Sequence, residues 1–173
     1  MTNLVLRAAK PADIPALSRL AISSFVDKFG ELYSSADLAT FIAEALSEAN
    51  IAAELANPDR LYRLAERGGE LLAFCKLGLS CGFPEYARGQ NVLELKQLYA
   101  AAAATGQGIG GALMDWAMAE FAARRADEVQ ISVYSGNDGA QRFYQRYGFE
   151  KVADITFQVG EQLDPEFLFA KLL

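Results

Sequence analysis

The sequence predicts one α/β domain spanning residues 1–173, and three observations carry that prediction. The chain is 52% apolar and 22% charged, which is the balance of an ordinary soluble globular domain. Hydrophobic periods of two residues, typical of strands, alternate along the chain with periods near 3.6, typical of helices. No internal repeat, linker-like stretch or charge block divides the sequence.

The N-terminal part begins with a strand over residues 4–8 and continues with two helices. Pro11 and Asp13 suit the first turn of a helix, and Ser34 with Asp37 offers a cap for the second. Apolar residues recur at helical spacing in both segments, and we expect both stripes in the core: Ile14, Leu17, Leu20, Ala21 and Phe25 in the first, and Leu38, Phe41, Ile42, Ala45 and Leu46 in the second.

The remainder of the chain is predicted as a hairpin followed by alternating helices and strands. Gly68 and Gly69 permit the positive φ of a tight turn between the two hairpin strands. The elements are the hairpin strands at 61–65 and 71–79, a strand at 92–99, a helix at 109–121, a strand at 129–134, a short helix at 140–147, and a closing strand pair at 152–159 and 167–172.

Histidine is absent from the sequence, and this excludes several chemistries. Without imidazole there is no Ser-His-Asp or Cys-His nucleophilic site, no His-ligated zinc and no histidine general base. Cys75 and Cys81 are too far apart for a CxxC pair, and no second cluster completes a metal site, so we expect no metal. Proton transfer must therefore use a carboxylate, tyrosine, lysine, cysteine or water.

Charge and hydropathy argue against two kinds of partner. The 22 Asp and Glu exceed the 16 Lys and Arg, and the net charge of −6 disfavours nucleic acid and favours cations. No apolar stretch reaches the length of a membrane span, and the opening MTNLVLRAA lacks the features of a signal peptide. We therefore expect a cytoplasmic protein without a membrane partner.

A glycine-rich loop, Gly-Gln-Gly-Ile-Gly-Gly, lies between a predicted strand and a predicted helix at residues 106–111. Free backbone N–H groups and the helix dipole make such a loop an anion site, and glycine lets the backbone approach phosphate oxygens. Gly106, Gly108 and Gly111 also satisfy the dinucleotide fingerprint G-x-G-x-x-G, so a dinucleotide oxidoreductase is one alternative. Its context disfavours it, because the preceding strand alternates leucine with charge and too little chain follows Gly111 for a doubly wound sheet. A flexible strand-to-helix turn is the other alternative.

The strand before this loop changes phase. Leu93 and Leu95 place apolar side chains at odd positions, whereas Leu98 and Ala100 place them at even positions. The slip predicts a bulge near Gln97. A bulge would leave a backbone N–H free to donate to a ligand carbonyl, although a purely steric kink fits the same pattern.

A third signal follows the strand at 129–134. Asn137 stands where the strand gives way to a helix, and Tyr144 lies two turns further along, so both can face a cleft beside the glycine loop. Phe143 and Tyr147 are expected in the core. Packing alone is an alternative role for Tyr144.

Together these segments resemble the GCN5-related N-acetyltransferase (GNAT) superfamily over nearly the whole chain. Residues 105–110 fill the coenzyme motif Q/R-x-x-G-x-G/A except at its first position. The N-x-x-A-x-x-F-Y-x-x-x-G-F signature is met at Asn137, Ala140, Phe143, Tyr144, Gly148 and Phe149. The resemblance implies the GNAT fold, a mixed, mostly antiparallel, V-shaped sheet of about seven strands with helices on both faces.

The same resemblance implies acetyl-CoA as the cosubstrate and N-acetyl transfer as the activity. The bulged strand would receive the acetyl and pantetheine groups, the loop amides would hold the pyrophosphate, and Asn137 and Tyr144 would flank the thioester. The implied coenzyme-binding residues are Leu98, Tyr99, Ala100, Thr105, Gly106, Gln107, Gly108, Ile109, Gly110, Gly111, Asn137, Ala140, Phe143 and Tyr144.

Two places depart from the family pattern. Thr105 replaces the usual Gln or Arg, which removes or shortens a side-chain contact to pyrophosphate. Residues 100–104 are all alanine where the family commonly has proline and an aromatic residue, and alanine favours local helix. Both changes bear on coenzyme affinity more than on the existence of the site, because the backbone cradle needs only amides.

A narrower likeness concerns the acceptor. Residues 93–99 and the segment 157–160 with Asp164 look like a bacterial subgroup that includes polyamine acetyltransferases, and the charge of −6 suits a cationic amine. An aromatic and acidic stretch should choose the acceptor, and the sequence does not assign it to core, lid or dimer surface: Phe25, Phe29, Glu31, Leu32 and Tyr33. A homodimer is one alternative for the oligomeric state.

The expected reaction is direct attack of a small cationic amine on the thioester. Glu94 is the candidate base, because it lies on the strand that would line the acetyl site, and a solvated Glu94 paired with Lys96 is the alternative. Tyr144 is the candidate acid, because a phenol can protonate a departing thiolate. A non-catalytic acyl-CoA-binding sensor or scaffold is the alternative function.

Overall fold

The computed structural model describes residues 3–173, so the first two residues of the predicted domain lie outside the described range. The strands are β1 (Leu4–Ala8), β2 (Arg60–Arg67), β3 (Glu70–Gly78), β4 (Val92–Ala100), β5 (Glu128–Tyr134), β6 (Glu150–Val159) and β7 (Gln162–Leu172). The helices are α1 (Ile14–Phe29), α2 (Ser35–Phe41), α3 (Glu48–Ala56), α4 (Ile109–Ala123) and α5 (Asp138–Arg146). No helix within residues 3–173 is both long enough and apolar enough to cross a bilayer.

The strands form one seven-stranded sheet in the order β1-β2-β3-β4-β5-β7-β6. Every neighbouring pair is antiparallel except β4 and β5, which run parallel and are connected by α4. The parallel pair is short, since only Val92–Glu94 of β4 faces β5. The predicted mixed, mostly antiparallel sheet is therefore confirmed, and its two halves separate beyond Glu94.

Helices cover both faces of the sheet and create two cores. Consecutive strand residues point to opposite faces, so Phe74 packs toward α1, α2 and α3 while Cys75 packs toward α4 and α5. The predicted stripe of the first helix is in the core, with Leu17, Leu20 and Phe25 buried. We call these the α1 face and the α4 face of the sheet.

The second predicted helix differs from the observed chain. α2 ends at Phe41, a π turn spans Ile42–Leu46, and α3 follows as a separate helix for which the sequence analysis predicted no element. Ser47 caps α3 by accepting from the N–H of Asn50 at 3.2 Å.

The closing strand pair is longer than predicted. β7 begins at Gln162 and runs through Pro165, a position predicted as turn. The Pro165 carbonyl accepts from the N–H of Ser135, one residue past the end of β5 at Tyr134. Proline has no N–H to donate. At position 165 this costs no hydrogen bond of the β5–β7 ladder, because the backbone of Pro165 faces the chain just beyond the end of β5.

An ion pair between a buried lysine and a half-buried glutamate connects α3 to β3 on the α1 face. The Glu54 carboxylate accepts from Lys76 Nζ at 3.0 Å and from Arg60 Nε at 3.1 Å. Burial lowers the pKa of Lys76, and the Glu54 carboxylate opposes that shift.

We expect Glu54→Gln to lower the free energy of unfolding by about 3 kcal/mol, because it leaves the Lys76 ammonium buried beside a neutral partner. Urea unfolding measures the loss. The double variant Glu54→Leu with Lys76→Met is the control and should recover much of the stability, since it removes the buried Lys76 charge with its partner and leaves only the more exposed Arg60 without Glu54. A loss below about 0.5 kcal/mol in the single variant would mean that the pair behaves as a surface salt bridge.

Candidate active site

The sheet opens between β4 and β5. Pairing stops after Glu94 and Gln130, so the later residues of β4 and β5 present backbone groups that have no partner strand between them. Such an edge can pair with an extended, amide-containing ligand in the way that a further strand would.

The predicted bulge is present at the start of this opening. Lys76 faces Gln97 and the next residue, Leu77, faces Leu95, so Lys96 is the extra residue in β4. The phase slip predicted near Gln97 is therefore a true bulge, which turns the following residues of β4 away from β5.

The glycine loop follows β4 and begins α4. Gly106 and Gly108 have φ of 78° and 77°, and a Cβ at either position would meet no atom within 4 Å, so glycine is needed for the conformation and not for lack of space. The first helical bond of α4 runs from Ala112 to Gly108. Within the described chain the amides of residues 106–111 have no acceptor, which is the arrangement that binds a phosphate.

The side chains of Thr105 and Gln107 are turned toward the chain itself. Thr105 Oγ1 donates to Ala101, and Gln107 Nε2 donates to Ala103 at 2.8 Å. Ala102–Ala104 forms a 3₁₀ turn, as expected from the helical preference of alanine. Arg67 at the end of β2 donates to Gln107 Oε1 at 2.8 Å. Its guanidinium therefore lies beside the glycine loop, and no feature of the sequence pointed to this residue.

Helix α5 packs directly on the glycine loop. A Cβ on Gly110 would lie 3.8 Å from the Phe143 ring, and the Tyr147 hydroxyl lies 3.3 Å from the Gly111 carbonyl oxygen. Phe143 and Tyr147 are half-buried rather than fully buried, because both rings sit at this contact near the surface.

Tyr144 is the buried tyrosine of this helix. Its side chain is 7% exposed, and its ring makes edge contacts with Phe143 and Phe149. Its hydroxyl has no hydrogen-bond partner among residues 3–173 and lies near Cys75 and Tyr99. Burial raises the pKa of Tyr144 above its usual range, so the phenol stays protonated and able to donate at neutral pH.

Asn137 caps α5. Its Oδ1 accepts from the N–H of Ala140 at 3.1 Å, and the amide nitrogen of the side chain has no partner within residues 3–173. Leu98, Tyr99 and Ala100 lie half-buried on β4 beyond the bulge. The structure thus brings together the loop, the strand after the bulge, and α5, the three segments that the sequence analysis assigned to the coenzyme.

Glu94 lies at the last paired position of β4 rather than beyond the bulge. It is 7% exposed, and its carboxylate accepts from Lys96 Nζ at 3.0 Å. The ion pair with Lys96 that was named in the alternative is present, but Glu94 is buried and not solvated. A Cβ at Gly82 would collide with the same carboxylate, so the loop that follows β3 covers it.

Two further carboxylates lie on the α1 face beside the opening, and the sequence analysis assigned them no role. Asp164 is 3% exposed and bonds the Tyr33 hydroxyl, and Glu166 is 9% exposed and bonds the Ser132 hydroxyl. Acidic residues two apart at the start of an otherwise apolar strand are the sequence signal that would have pointed to them.

A cavity of about 490 Å³ opens at the end of α1, and its lining includes Lys28 and also Tyr134, which faces Glu166 across the β5–β7 ladder. The Phe29 and Tyr134 rings meet there edge to face, with 5.9 Å between the ring centroids, and Asn137 lines the same cavity. Of the predicted acceptor stretch, Phe25 is buried in the core, Phe29 and Tyr33 are half-buried, and Glu31 and Leu32 are exposed at the cavity.

Comparison with known proteins agrees with this geometry. Residues 22–149 match the model of the acetyltransferase (GNAT) family. An N-acetyltransferase of Lactobacillus delbrueckii subsp. lactis, itself uncharacterised, is 24% identical over 173 residues, which cover 100% of this chain and 99% of the relative. One of Mycobacterium tuberculosis, also uncharacterised, is 29% identical over 137 residues, 79% of this chain and 82% of the relative.

Solved structures share the fold. The PaiA N-acetyltransferase of Thermoplasma acidophilum, crystallised in complex with coenzyme A, superposes with a TM-score of 0.81 at 22% identity and 99% coverage of both chains. A GCN5-related N-acetyltransferase from Rhodopseudomonas palustris gives 0.77 at 19% identity, covering 100% of this chain and 98% of its own. With a family model matched over most of its length, this chain belongs to the GNAT family of acetyltransferases.

Proposed function

We propose that this acetyl-CoA-dependent N-acetyltransferase transfers the acetyl group to the primary amine of a small cationic acceptor by direct attack on the thioester. The observation that carries the proposal is the opening between β4 and β5, with the free amides of residues 106–111 following β4 and Tyr144 buried on the α4 face. The loop amides hold the pyrophosphate, and the edge of β4 beyond Lys96 pairs with the pantetheine amides.

Positioning supplies much of the catalysis. The amine nitrogen attacks the thioester carbonyl, and an N–H freed at the bulge donates to the oxygen as it gains negative charge. Tyr144 then protonates the sulfur as the C–S bond breaks, because a buried neutral phenol is a proton donor toward a thiolate. No covalent enzyme intermediate is required.

The cationic nature of the acceptor rests on charge. The net charge is −6, and the buried carboxylates of Asp164 and Glu166 have no lysine or arginine partner within residues 3–173. An ammonium group that enters from the α1 face would supply the missing positive charge.

The test is a screen for thiol release from acetyl-CoA with polyamines, aminoglycosides, neutral amino acids and peptide N-termini. We expect polyamines or other small cationic amines to give the highest kcat/KM, with a rate that falls as salt is added. An anionic acceptor that works equally well and is insensitive to ionic strength would overturn the acceptor class. Binding of acetyl-CoA without thiol release for any amine would favour a sensor or scaffold role.

A further inference from the structure

We infer that Glu166 is the residue that takes the proton from the acceptor ammonium, so that the neutral amine can attack the thioester. The inference rests on the proposed function, because it assigns a proton acceptor to that reaction. It differs from the expectation for Glu94, and the two carboxylates can be tested side by side.

Glu166 lies on the correct side of the sheet and at the correct height. It faces Tyr134 across the β5–β7 ladder, beyond the point where β4 and β5 separate. Its hydrogen bond to Ser132 and the contact of Tyr134 with Phe29 put this group on the α1 face, opposite the face covered by α4 and α5. Coenzyme and acceptor thus approach the opening from the two sides of the sheet.

The surroundings of Glu166 leave one carboxylate oxygen available. The Ser132 hydroxyl bonds Oε2, whereas Oε1 has no hydrogen-bond partner and no cation within residues 3–173. Glu166 is 9% exposed and lacks a counter-ion, and Oε1 is not sealed from solvent, so an incoming ligand can reach it. An ammonium group is the ligand that would pair with this oxygen.

Tyr99 on β4 lies close to both Glu166 and the acid on the other face. Glu166 contributes to the raised pKa of Tyr99 on β4, and Tyr99 contributes to that of Tyr144 on α5. Burial raises the pKa of Tyr99 to about 12, so both phenols remain neutral. The candidate base and the candidate acid therefore lie on opposite faces of the opening with one neutral tyrosine between them.

The protonation behaviour of Glu166 also suits a base. Burial raises its pKa, the Ser132 hydrogen bond opposes the rise, and the neighbouring Asp164 charge adds to it. Tyr33 from the segment before α2, Tyr99 from β4 and Tyr134 from β5 are the other titratable groups facing it, and none of these is cationic. Lys28 of α1 is a cation that lines the cavity shared with Tyr134. A carboxylate whose pKa is shifted toward neutrality accepts a proton more readily than an ordinary glutamate.

Glu94 lacks these features. Its carboxylate is already paired with Lys96, is covered by the loop at Gly82, and lies where β4 and β5 are still joined. An acceptor amine would have to displace the Lys96 ammonium to reach it.

The proton transfers balance across the reaction. An alkylammonium has three N–H protons and the amide product has one. The first proton goes to Glu166, and the freed lone pair forms the N–C bond. The C–S bond then breaks, the sulfur takes the Tyr144 proton, and the second nitrogen proton restores Tyr144. Glu166 finally releases its proton to solvent, so that the products are the N-acetylamine, CoA thiol and one proton.

The experiment compares Glu166→Gln with Glu94→Gln on two acceptors. One is a polyamine, whose ammonium is protonated at neutral pH, and the other is 2,2,2-trifluoroethylamine, which is already neutral there. We expect Glu166→Gln to lower kcat by about 10² to 10⁴ with the polyamine and by less than about tenfold with the neutral amine. In the wild type the acid limb of kcat/KM should lie above the ordinary glutamate range, and Glu166→Gln should remove that limb.

Two controls separate chemistry from folding. Glu161→Gln removes the same charge from an exposed side chain in the β6–β7 turn and should leave turnover unchanged. The melting shift caused by CoA should be the same in Glu166→Gln as in the wild type, because the substituted group lies on the acceptor side.

Equal losses of Glu166→Gln with both amines would overturn the inference, since a structural defect does not depend on the protonation state of the acceptor. If Glu94→Gln lowers kcat more with the polyamine than with the neutral amine, and Glu166→Gln does not, the inference is overturned and Glu94 is the base. Failure of the wild type to release thiol with any amine would instead overturn the proposed function itself.

Discussion

Replacing Tyr144 by phenylalanine should lower kcat by about 10² to 10⁴ while coenzyme binding is retained. The change removes one hydroxyl and keeps the ring that packs between Phe143 and Phe149. The lost hydroxyl is neutral and has no hydrogen-bond partner in the described chain, so no other contact is broken. Steady-state kinetics with acetyl-CoA and the best amine of the screen measure the effect.

The dependence on the leaving group identifies the role of Tyr144. An acetyl thioester of a more acidic thiol needs no proton at the sulfur, so the deficit of Tyr144→Phe should shrink with it. Tyr86→Phe is the matched control, because Tyr86 is exposed and lies in a short turn after β3. Wild-type turnover in Tyr144→Phe, with chemistry rate-limiting, would reduce Tyr144 to a packing residue.

Gly108→Val should abolish coenzyme binding. In the wild type, CoA at one hundred times its dissociation constant should stabilise the fold by about 2.7 kcal/mol, which raises the melting temperature by about 5 to 10 °C. A β-branched residue at a φ of 77° strains the loop and places methyl groups beside the amides that would hold the pyrophosphate. The expected result is a folded protein that shows no melting shift with CoA.

Gly69→Val is the control for backbone strain. Gly69 also has a positive φ, of 82°, and open space around its Cα, but it lies in the β2–β3 turn. Both variants should lose stability to a similar extent, and Gly69→Val should keep the CoA shift. A shift that survives in Gly108→Val would place the coenzyme phosphates elsewhere, and a larger shift with NADH than with CoA would favour the dinucleotide alternative.

Local patterns in the sequence predicted the coenzyme side of the molecule well. The phase slip between Leu95 and Leu98 predicted the bulge. Successive side chains of a regular strand point to opposite faces, so a change in the apolar phase requires an extra residue. Glycines at 106 and 108 predicted backbone with positive φ. The spacing from Asn137 to Tyr144 predicted one helix, and Asn137 is its cap and Tyr144 lies within it. Each of these features is encoded within about ten residues.

The acceptor side was not predictable in the same way. Tyr33 meets Asp164 across 131 residues of sequence, and Ser132 meets Glu166 across 34. Such contacts depend on how the sheet and α1 are assembled, so no local period reveals them. Glu94 was chosen as base because of its strand alone, and the covering loop and the position of the opening could not be read from that strand.

Simultaneous quantification of CoA thiol and N-acetylated amine tests the central claim most directly. Wild-type protein, acetyl-CoA and the best cationic acceptor of the screen should give the two products in equal amounts and at equal rates. Neither should form when the amine is omitted, because the nucleophile is the acceptor nitrogen. Thiol release that proceeds without an amine, or that yields acetate in place of the acetylated amine, would contradict acetyl transfer through the opening between β4 and β5.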